Sequence, residues 1–446
     1  MAKRVVVVGA GVSGLAAAFR LQEQGFDVIV LEAEDHVGGK TAATRDRDGW
    51  TLNTGATVLA GSYKATLAIA RDAGLESEII RVPTTIGVVR DGRVHWLRGS
   101  GVGALVDFAR TPLISGRSKL LLAKAGLDAA RAWKKAGYDR PQLRAELDTE
   151  SVAAYCDRRL NPEIRDNLLG PVLGGLFGFR GDTMSVADVF FTLNKILLGG
   201  VLGYRGGIDF FARGVAAKLA DVRTGAAVSR VERSAGGVRV SYVQDGETHT
   251  EAADGAVLAI AAPFVPEMFP ELDPGIQGIL NEGMEQANFF SIRLGLSSRP
   301  ALEGLLAVAP SGALGGVATV MLEHNIAEGN CPPGKGLVGV LLYHEWITPR
   351  LSLSDDEILE QVLPDVERVV PGITELVEFA AVTRWQPGAL LVKQGTHKLM
   401  AEIDRRVNPR DTVQLAGDYL SIPSINGSVV TGETAATRLA AALSRS

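Results

Sequence analysis

The N-terminal segment alternates between short apolar runs and a longer mixed stretch. Residues 5–8 are consecutive valines, which is typical of a strand buried on both faces of a parallel sheet. Residues 15–24 favour a helix with Leu15 and Phe19 on its apolar face, and Gly25 is expected to end it. Residues 28–31 form a second apolar run, followed by Glu32. The pattern predicts a compact β-α-β unit.

The rest of the chain mixes helical and strand patterns without an evident linker. Residues 100–200 favour helices, Ser354 followed by acidic residues predicts a capped helix start, and residues 428–443 predict a final helix. Residues 226–255 alternate with period two and carry hairpin-like turns, which predicts an antiparallel sheet. Further strand patterns occur at residues 256–260, 285–345 and 413–416. No Pro- or Ser-rich boundary separates these regions, so we expect domains that are interwoven.

Composition narrows the functional class. The 446 residues carry a net charge of −5, which argues against a nucleic-acid-binding protein. The six histidines have no metal-ligand spacing, so no metal site is predicted. Cys156 and Cys331 lie far apart, which favours a reducing, cytoplasmic location. No apolar run reaches the length of about 18 residues that a membrane-spanning helix needs.

The glycines after the first predicted strand point to a dinucleotide. Gly9 would permit a tight turn, Gly11 a close approach of a pyrophosphate, and Gly14 close packing of helix on strand. The helix N-terminus would offer N–H groups to phosphates. Glu32 could accept hydrogen bonds from a ribose and would repel a 2′-phosphate. NADP is therefore disfavoured, while NAD and FAD stay open at this point.

The residues after Glu32 extend this fingerprint. Gly38 and Gly39 precede Lys40, an arrangement that NAD dehydrogenases do not need. It resembles the large FAD family of amine oxidases, protoporphyrinogen oxidases and carotenoid desaturases. The segments that are also similar to this family are residues 53–59, 149–187, 204–219, 226–231, 253–263 and 415–441. The resemblance covers most of the chain and implies FAD as the cofactor.

The resemblance also implies an α/β fold. An FAD-binding, Rossmann-like domain of the glutathione-reductase type would be interwoven with an α+β substrate domain. The first domain is expected to comprise residues 1–85, 204–265 and 380–446. The second is expected to comprise residues 86–203 and 266–379.

By the same resemblance, particular residues would contact FAD. Val228 would lie on the adenine side, Asp418 near the ribityl phosphate, and the backbone N–H groups from Asn426 to Val429 at the flavin ring. The motif at 415–430 has no Cys or His, so we expect non-covalent FAD. The full set is Gly9, Ala10, Gly11, Val12, Ser13, Gly14, Glu32, Ala33, Gly38, Gly39, Lys40, Gly55, Ala56, Thr57, Val228, Gly417, Asp418, Ile425, Asn426, Ser428 and Val429.

The chain departs from the amine oxidases of this family where they hold their substrate. Many of them hold the amine in a cage of two aromatic side chains. Ser424 stands at the position of one of these aromatic residues, and residues 389–391 stand near the position of the other. Phe290 or Ser291 stands where such oxidases often have a lysine. Trp385 would face the flavin or fill a core. Phe290, Trp385 and Ser424 are thus the candidate substrate contacts, and no catalytic residue is assigned.

These features predict an FAD-dependent oxidoreductase that removes two electrons, as a hydride to the flavin, from a hydrophobic small molecule. The leading hypothesis is a desaturase or an enzyme similar to protoporphyrinogen oxidase. One alternative is a flavin amine oxidase with an atypical cage, for example in specialised metabolism. A second is a non-catalytic flavin-fold protein that binds lipids or prenyl groups.

The expected partners are a small hydrophobic or amine substrate and an electron acceptor, oxygen or a quinone. Nucleic acid is not expected, and a homodimer is left open. The basic amphipathic segment 117–136 has two interpretations, a solvated helix face or a peripheral contact with a membrane. The expected location is cytoplasmic, with the membrane contact as an addition.

Overall fold

A computed structural model describes residues 2–99, 101–196 and 199–444. Its first sheet has five parallel strands and contains the predicted β-α-β unit. In spatial order the strands are Asp221–Arg223, Asp27–Leu31, Arg4–Val8, Gly255–Leu258 and Val413–Leu415. The expected α/β fold class is confirmed by this sheet and its helices.

Both faces of this parallel sheet are covered. Val5 and Val7 pack with the helices Val12–Glu23 and Ile425–Leu443. Val6 and Val8 pack under an antiparallel sheet and the helix Thr396–Arg406. This two-sided burial explains why the first strand is a run of valines. The antiparallel sheet consists of Ala227–Ser234, Gly237–Gln244 and Glu247–Ala253.

A second large sheet has seven strands, and all its neighbouring pairs are antiparallel except one. The helix Asp355–Val369 packs on it through Ile358 and Val362. That helix begins at Ser354 with the predicted capping box, which is confirmed. In spatial order the strands are Val377–Leu390, Gln286–Leu296, Gly336–Leu342, Val317–Leu322, Leu306–Val308, Thr85–Arg90 and Arg93–Arg98.

A helical region lies between the strands Arg93–Arg98 and Val201–Arg205 in sequence, as the pattern at 100–200 predicts. Its α-helices are Gly101–Arg110, Gly116–Ala132, Pro141–Ala145, Val152–Arg159, Pro162–Ile164, Gly170–Phe177 and Val186–Phe191, with π-helical turns at Arg165–Leu169 and Thr192–Ile196. In the described ranges, no helix is both long enough and apolar enough to cross a bilayer.

Short elements complete the fold. The remaining α-helices are Lys64–Asp72, Phe210–Ala216, Val265–Met268, Pro274–Gly278, His344–Ile347 and Ile373–Leu376. The remaining strands are Ala43–Thr44, Leu52–Asn53, Leu59–Ala60, Ile79–Arg81, Val201–Arg205 and Ala327–Glu328.

Element boundaries differ from the sequence-based ones in two ways. The two helices expected from residues 15 and 428 begin three residues earlier, at Val12 and Ile425, because their glycine- and serine-rich first turns are already helical. The segment that contains Val228 lies in an antiparallel sheet, as its period-two pattern predicts, whereas the strand Asp221–Arg223 at the edge of the parallel sheet was not predicted. The predicted boundary at residue 380 lies within the strand Val377–Leu390. The division into domains stays a prediction.

Candidate active site

The glycine turn after the first strand leaves the start of its helix open. Gly9 has a φ of +97°, and a Cβ there would lie 2.7 Å from the carbonyl oxygen of Ala259. Gly11 caps the helix without any side-chain hydrogen bond, and a Cβ at Gly11 would meet no atom within 4 Å. Open space in front of unpaired helix N–H groups suits a phosphate.

Glu32 lies beside this turn. One oxygen of its carboxylate accepts a hydrogen bond from Ala10 N at 2.6 Å, and the other accepts one from Glu34 N at 3.1 Å. Each carboxylate oxygen has a second lone pair, so the group can still accept from a ribose hydroxyl. Ala33, its neighbour, is exposed.

The second glycine pair lies directly against the first turn. Gly38 N donates to Ala10 O at 2.9 Å, and Gly38 and Gly39 have φ values of +115° and +51°. Lys40 then reaches the other end of the chain, because its Nζ donates to Asp418 Oδ2 at 2.9 Å. A cation is thus held between the glycine turns and the C-terminal motif.

The loop at residues 53–57 packs on this segment through its backbone. Ala56 N donates to Lys40 O at 2.9 Å, and a Cβ at Gly55 would lie 2.4 Å from the same oxygen. Trp385 approaches the loop from the seven-stranded sheet, since its Nε1 donates to Thr54 O at 2.7 Å. The predicted contacts Gly55, Ala56, Thr57 and Trp385 therefore lie together.

The C-terminal helix Ile425–Leu443 begins next to these segments. Ser424 Oγ accepts from Gly427 N at 3.0 Å, and Ser428 N donates to Ser424 O. Within the described residues, the N–H groups of Ile425 and Asn426 have no backbone or side-chain acceptor. These two amides are the open end of the helix. The amides of Gly427 and Ser428, which the resemblance also implied, are already paired.

Two other residues of this motif face inward. The Asn426 side chain is buried, and its Oδ1 accepts from Ala65 N and Thr66 N at 3.1 Å each, so it caps the helix Lys64–Asp72. Val429 is fully buried in the core below the parallel sheet. Only the backbone of these residues can meet a ligand. Gly417, which precedes Asp418, has a φ of +153° and donates its N–H to Thr431 Oγ1 at 3.0 Å.

A buried polar network underlies the loop at 53–57, and sequence reasoning missed it. Arg293 Nε lies 2.6 Å from Glu323 Oε1, and Arg293 Nη2 donates to Thr57 Oγ1 at 2.8 Å. Asn53 Nδ2 donates to Glu323 Oε2 at 3.0 Å, and Tyr204 donates to Thr57 O at 2.8 Å. Burial raises the pKa of Glu323, while the Arg293 charge opposes that rise. The pair fixes the loop from below.

Alternation along the strand Gln286–Leu296 separates Phe290 from this network. Phe290 is fully buried in the core of the seven-stranded sheet, with Arg384 over its ring at 4.5 Å. Ser291 accepts from Arg293 Nη1 at 2.7 Å and shares its face of the strand. Ser291, not Phe290, is therefore on the side of the loop.

Two tyrosines meet at Ser424. The rings of Tyr63 and Tyr138 are 6.2 Å apart and edge-to-face, and Phe191 lies 4.9 Å beyond Tyr138. Ser421 Oγ donates to Tyr138 O at 2.8 Å, which ties that segment to the C-terminal motif. Burial raises the pKa of Tyr63 to about 12, with the Ser424 hydroxyl acting in the opposite direction. No motif marks these tyrosines, since they come from segments far apart in the sequence.

Comparison with known proteins places this site in a family. The sequence profile described as flavin containing amine oxidoreductase matches residues 12–440. The chain belongs to this family. It is thus an FAD-dependent oxidoreductase, as the resemblance implied, and the non-catalytic alternative is not supported. The open turn at Gly11, the Lys40 ammonium and the unpaired amides at Ile425 and Asn426 fit the anionic and polar parts of FAD.

Individual relatives include both branches of the family. Coproporphyrinogen III oxidase of Staphylococcus aureus is 30% identical over 43% of this chain, and the chain spans 40% of that protein. Coproporphyrinogen III oxidase of Bacillus subtilis is 23% identical over 86% of each chain. Among solved structures, a putrescine oxidase variant matches with a TM-score of 0.78 and 19% identity, with all of both chains covered. Cyclohexylamine oxidase from Brevibacterium oxydans matches with a TM-score of 0.76 and 17% identity over the same extent.

Proposed function

We propose that this enzyme oxidises a hydrophobic small molecule by two electrons, in the manner of a porphyrinogen oxidase or a desaturase. FAD, when bound, supplies the acceptor for a hydride. The protein's own residues would bind and orient the two reactants and exclude water between them. The reduced cofactor would be returned to its oxidised state by oxygen or a quinone.

The composition of the wall beside Ser424 is the observation that carries this proposal. The Ser424 hydroxyl is turned inward to cap its helix, and the aromatic side chains beside it are those of Tyr63 and Tyr138, both of them buried. The strand Gln286–Leu296 has no lysine, and the one basic group on its loop-facing side, Arg293, is neutralised by Glu323. An uncharged aromatic wall favours a flat apolar substrate over an ammonium ion.

The cofactor residues have distinct proposed roles. The helix start after Gly11 would hold the pyrophosphate, and Glu32 the adenosine ribose. The loop at 53–57, kept rigid by Arg293, would support the flavin ring from one side. The amides of Ile425 and Asn426 would donate to the ring's carbonyl edge, where a helix N-terminus stabilises negative charge.

The relatives support the porphyrinogen class. Proteins named coproporphyrinogen III oxidase from three organisms align with the chain, one of them along most of its length. A putative monoamine oxidase of Mycobacterium tuberculosis, 30% identical over 60% of the chain, supports the amine alternative. The solved amine oxidases share the fold at identities below 20%, which carries no substrate preference. An amine oxidase with an altered wall is the competing outcome.

Anaerobic reduction of the flavin separates these outcomes. The purified yellow protein would be mixed, without oxygen, with coproporphyrinogen III, protoporphyrinogen IX, a polyene, putrescine and cyclohexylamine in separate cuvettes. Loss of flavin absorbance with a porphyrinogen or the polyene, and not with the amines, is the expected result. Bleaching by an amine alone would overturn the proposal. The Gly11→Val variant, which should hold no FAD, is the control for direct substrate absorbance.

A further inference from the structure

The helix Gly116–Ala132 carries an exposed face with a regular pattern. Leu120 is 79% exposed and Leu127 is 58% exposed, one heptad apart. Basic residues precede, separate and follow the two leucines: Arg117, Lys124 and Arg131 at helical spacing, and Lys134 in the turn after the helix, all of them exposed. We call Arg117, Leu120, Lys124, Leu127, Arg131 and Lys134 the basic-leucine face. Its opposite side is buried through Ala125 and Ala129.

The charge of this face contrasts with that of the whole chain. The protein has a net charge of −5, yet the only acid of this helix is Asp128. Asp128 is turned toward Arg159 and Tyr155, with Oδ2 2.9 Å from Arg159 Nε and 3.0 Å from the Tyr155 hydroxyl. Its Oδ1 lies 3.1 Å from Arg131 Nη1, so Arg131 is the one cation of the face that is paired within the described residues. In the described part of the chain, Arg117, Lys124 and Lys134 have no ion-pair partner, so their charge is directed at the surroundings.

We propose that the basic-leucine face binds the surface of an anionic lipid bilayer. A helix that lies in the interface buries its apolar side chains among the acyl chains while Lys and Arg reach up to the headgroups. Leucines placed between cations at three- to four-residue spacing have this geometry. Trp133, which caps the end of the helix, is 48% exposed and has the Lys195 ammonium 4.1 Å from the centre of its ring; tryptophan is a residue type that favours the interfacial region.

A second copy of the chain is a poorer occupant. In a symmetric dimer the same patch meets itself, so the three unpaired cations Arg117, Lys124 and Lys134 would face their own copies across the contact. Two exposed leucines are too little apolar area to compensate for that repulsion. Anionic lipid supplies the opposite charge and the apolar layer together.

Vesicle sedimentation of the FAD-bound, full-length protein tests the proposal. We expect the protein to sediment with vesicles of phosphatidylglycerol and phosphatidylcholine, and not with phosphatidylcholine alone. Rising salt should weaken the binding, because the attraction between charges is screened. Failure to sediment with anionic vesicles at low salt would overturn the proposal.

Variants assign the binding to this face. Leu120→Ser combined with Leu127→Ser, and Arg117→Glu combined with Lys124→Glu, should each weaken binding at least about tenfold. The matched control is Val243→Ser with Arg239→Glu, an exposed apolar and basic pair on the antiparallel sheet, which should bind like wild type.

Two results would contradict the assignment. Face variants that bind like wild type would show that another surface is used. A wild-type dimer that the leucine substitutions convert to a monomer, without vesicle binding, would show that a second copy covers the face. The flavin spectrum and thermal midpoint of each variant establish that it is folded. Membrane binding through this face does not depend on the substrate, so the vesicle and flavin-reduction experiments can fail separately.

Discussion

At the scale of single residues, a substitution at Gly11 should weaken FAD binding and leave the stability of the apoprotein nearly unchanged. Its φ of −68° is open to any residue, and a Cβ there meets no protein atom within 4 Å. Gly11→Val should therefore change the free energy of unfolding of the apoprotein by only about 1 kcal/mol. Its side chain would occupy the space proposed for the pyrophosphate, so FAD affinity should fall about a hundredfold or more. Calorimetry for FAD binding and chemical denaturation measure the two effects.

Gly14 is the contrasting control. A Cβ there would lie 1.9 Å from Gly9 O, so Gly14→Ala should destabilise the apoprotein itself. A Gly11→Val protein that is yellow and fully loaded would contradict the proposed position of the phosphates.

The Arg293–Glu323 pair makes a second residue-scale prediction. Glu323→Gln leaves a buried guanidinium without its counter-charge and should lower the free energy of unfolding by about 3 kcal/mol. The double variant Arg293→Met with Glu323→Met leaves no buried charge. It should therefore lower the free energy of unfolding less than Glu323→Gln does. The double variant also loses the bond to Thr57, so its FAD affinity should stay low.

Denaturation curves and FAD titrations of the single and double variants check this. If the double variant recovers both stability and FAD affinity, the pair has no role in positioning the loop at 53–57. Arg293→Lys keeps the positive charge but loses the forked geometry of the guanidinium. This variant should therefore keep only part of the wild-type stability.

At the scale of elements, Asn426 joins two helices. Asn426→Ala removes the acceptor for Ala65 N and Thr66 N, and should lower the free energy of unfolding by about 1–2 kcal/mol. Asn426→Asp keeps an acceptor at the N-terminus of the helix Lys64–Asp72, so it should lower the free energy of unfolding less than Asn426→Ala does. Thr437→Ala, on the exposed side of the same C-terminal helix, is the control and should change stability by about 0.5 kcal/mol at most. Equal losses in Asn426→Ala and the control would contradict the capping role.

Local patterns were enough to predict most elements. The valine run, the glycine turn and the Ser354 capping box act within a few residues, so the strand, the helix start and the cap could be predicted. The first turns at Val12 and Ile425 were missed because their residues favour loops as much as helices. The strand Asp221–Arg223 is too short to carry a period.

Contacts between distant segments could not be predicted in the same way. Arg293 reaches Thr57 across 236 positions, and nothing in the sequence near either residue indicates the other. Tyr63, Tyr138 and Ser424 likewise meet only through the fold. The resemblance could suggest cofactor contacts because its motifs mark backbone positions, and those contacts stay a prediction. The aromatic side chains beside Ser424 come from distant segments that no motif marks.

At the scale of the whole molecule, the proposed cofactor site contains residues from both ends of the chain. Lys40 and Asp418 are 378 positions apart and form an ion pair at 2.9 Å, and the open helix starts at Gly11 and Ile425 belong to opposite ends. A ligand that contacts both ends binds only the folded chain, so it must stabilise the fold. At a free FAD concentration of about 100 times Kd, the gain should be about 2.7 kcal/mol.

Thermal unfolding at increasing FAD concentration measures this linkage. The thermal midpoint of the wild type should rise steadily with FAD, whereas that of Gly11→Val should stay constant. Lys40→Met should show a smaller rise, because it removes the cation that the Asp418 carboxylate and a phosphate would share. The wild-type protein would first be stripped of its cofactor. If its thermal midpoint then did not change with FAD concentration, the two ends of the chain would be held together by the protein alone. The rise in the wild type and its loss in Gly11→Val would instead make FAD a structural part of the fold as well as its acceptor of electrons.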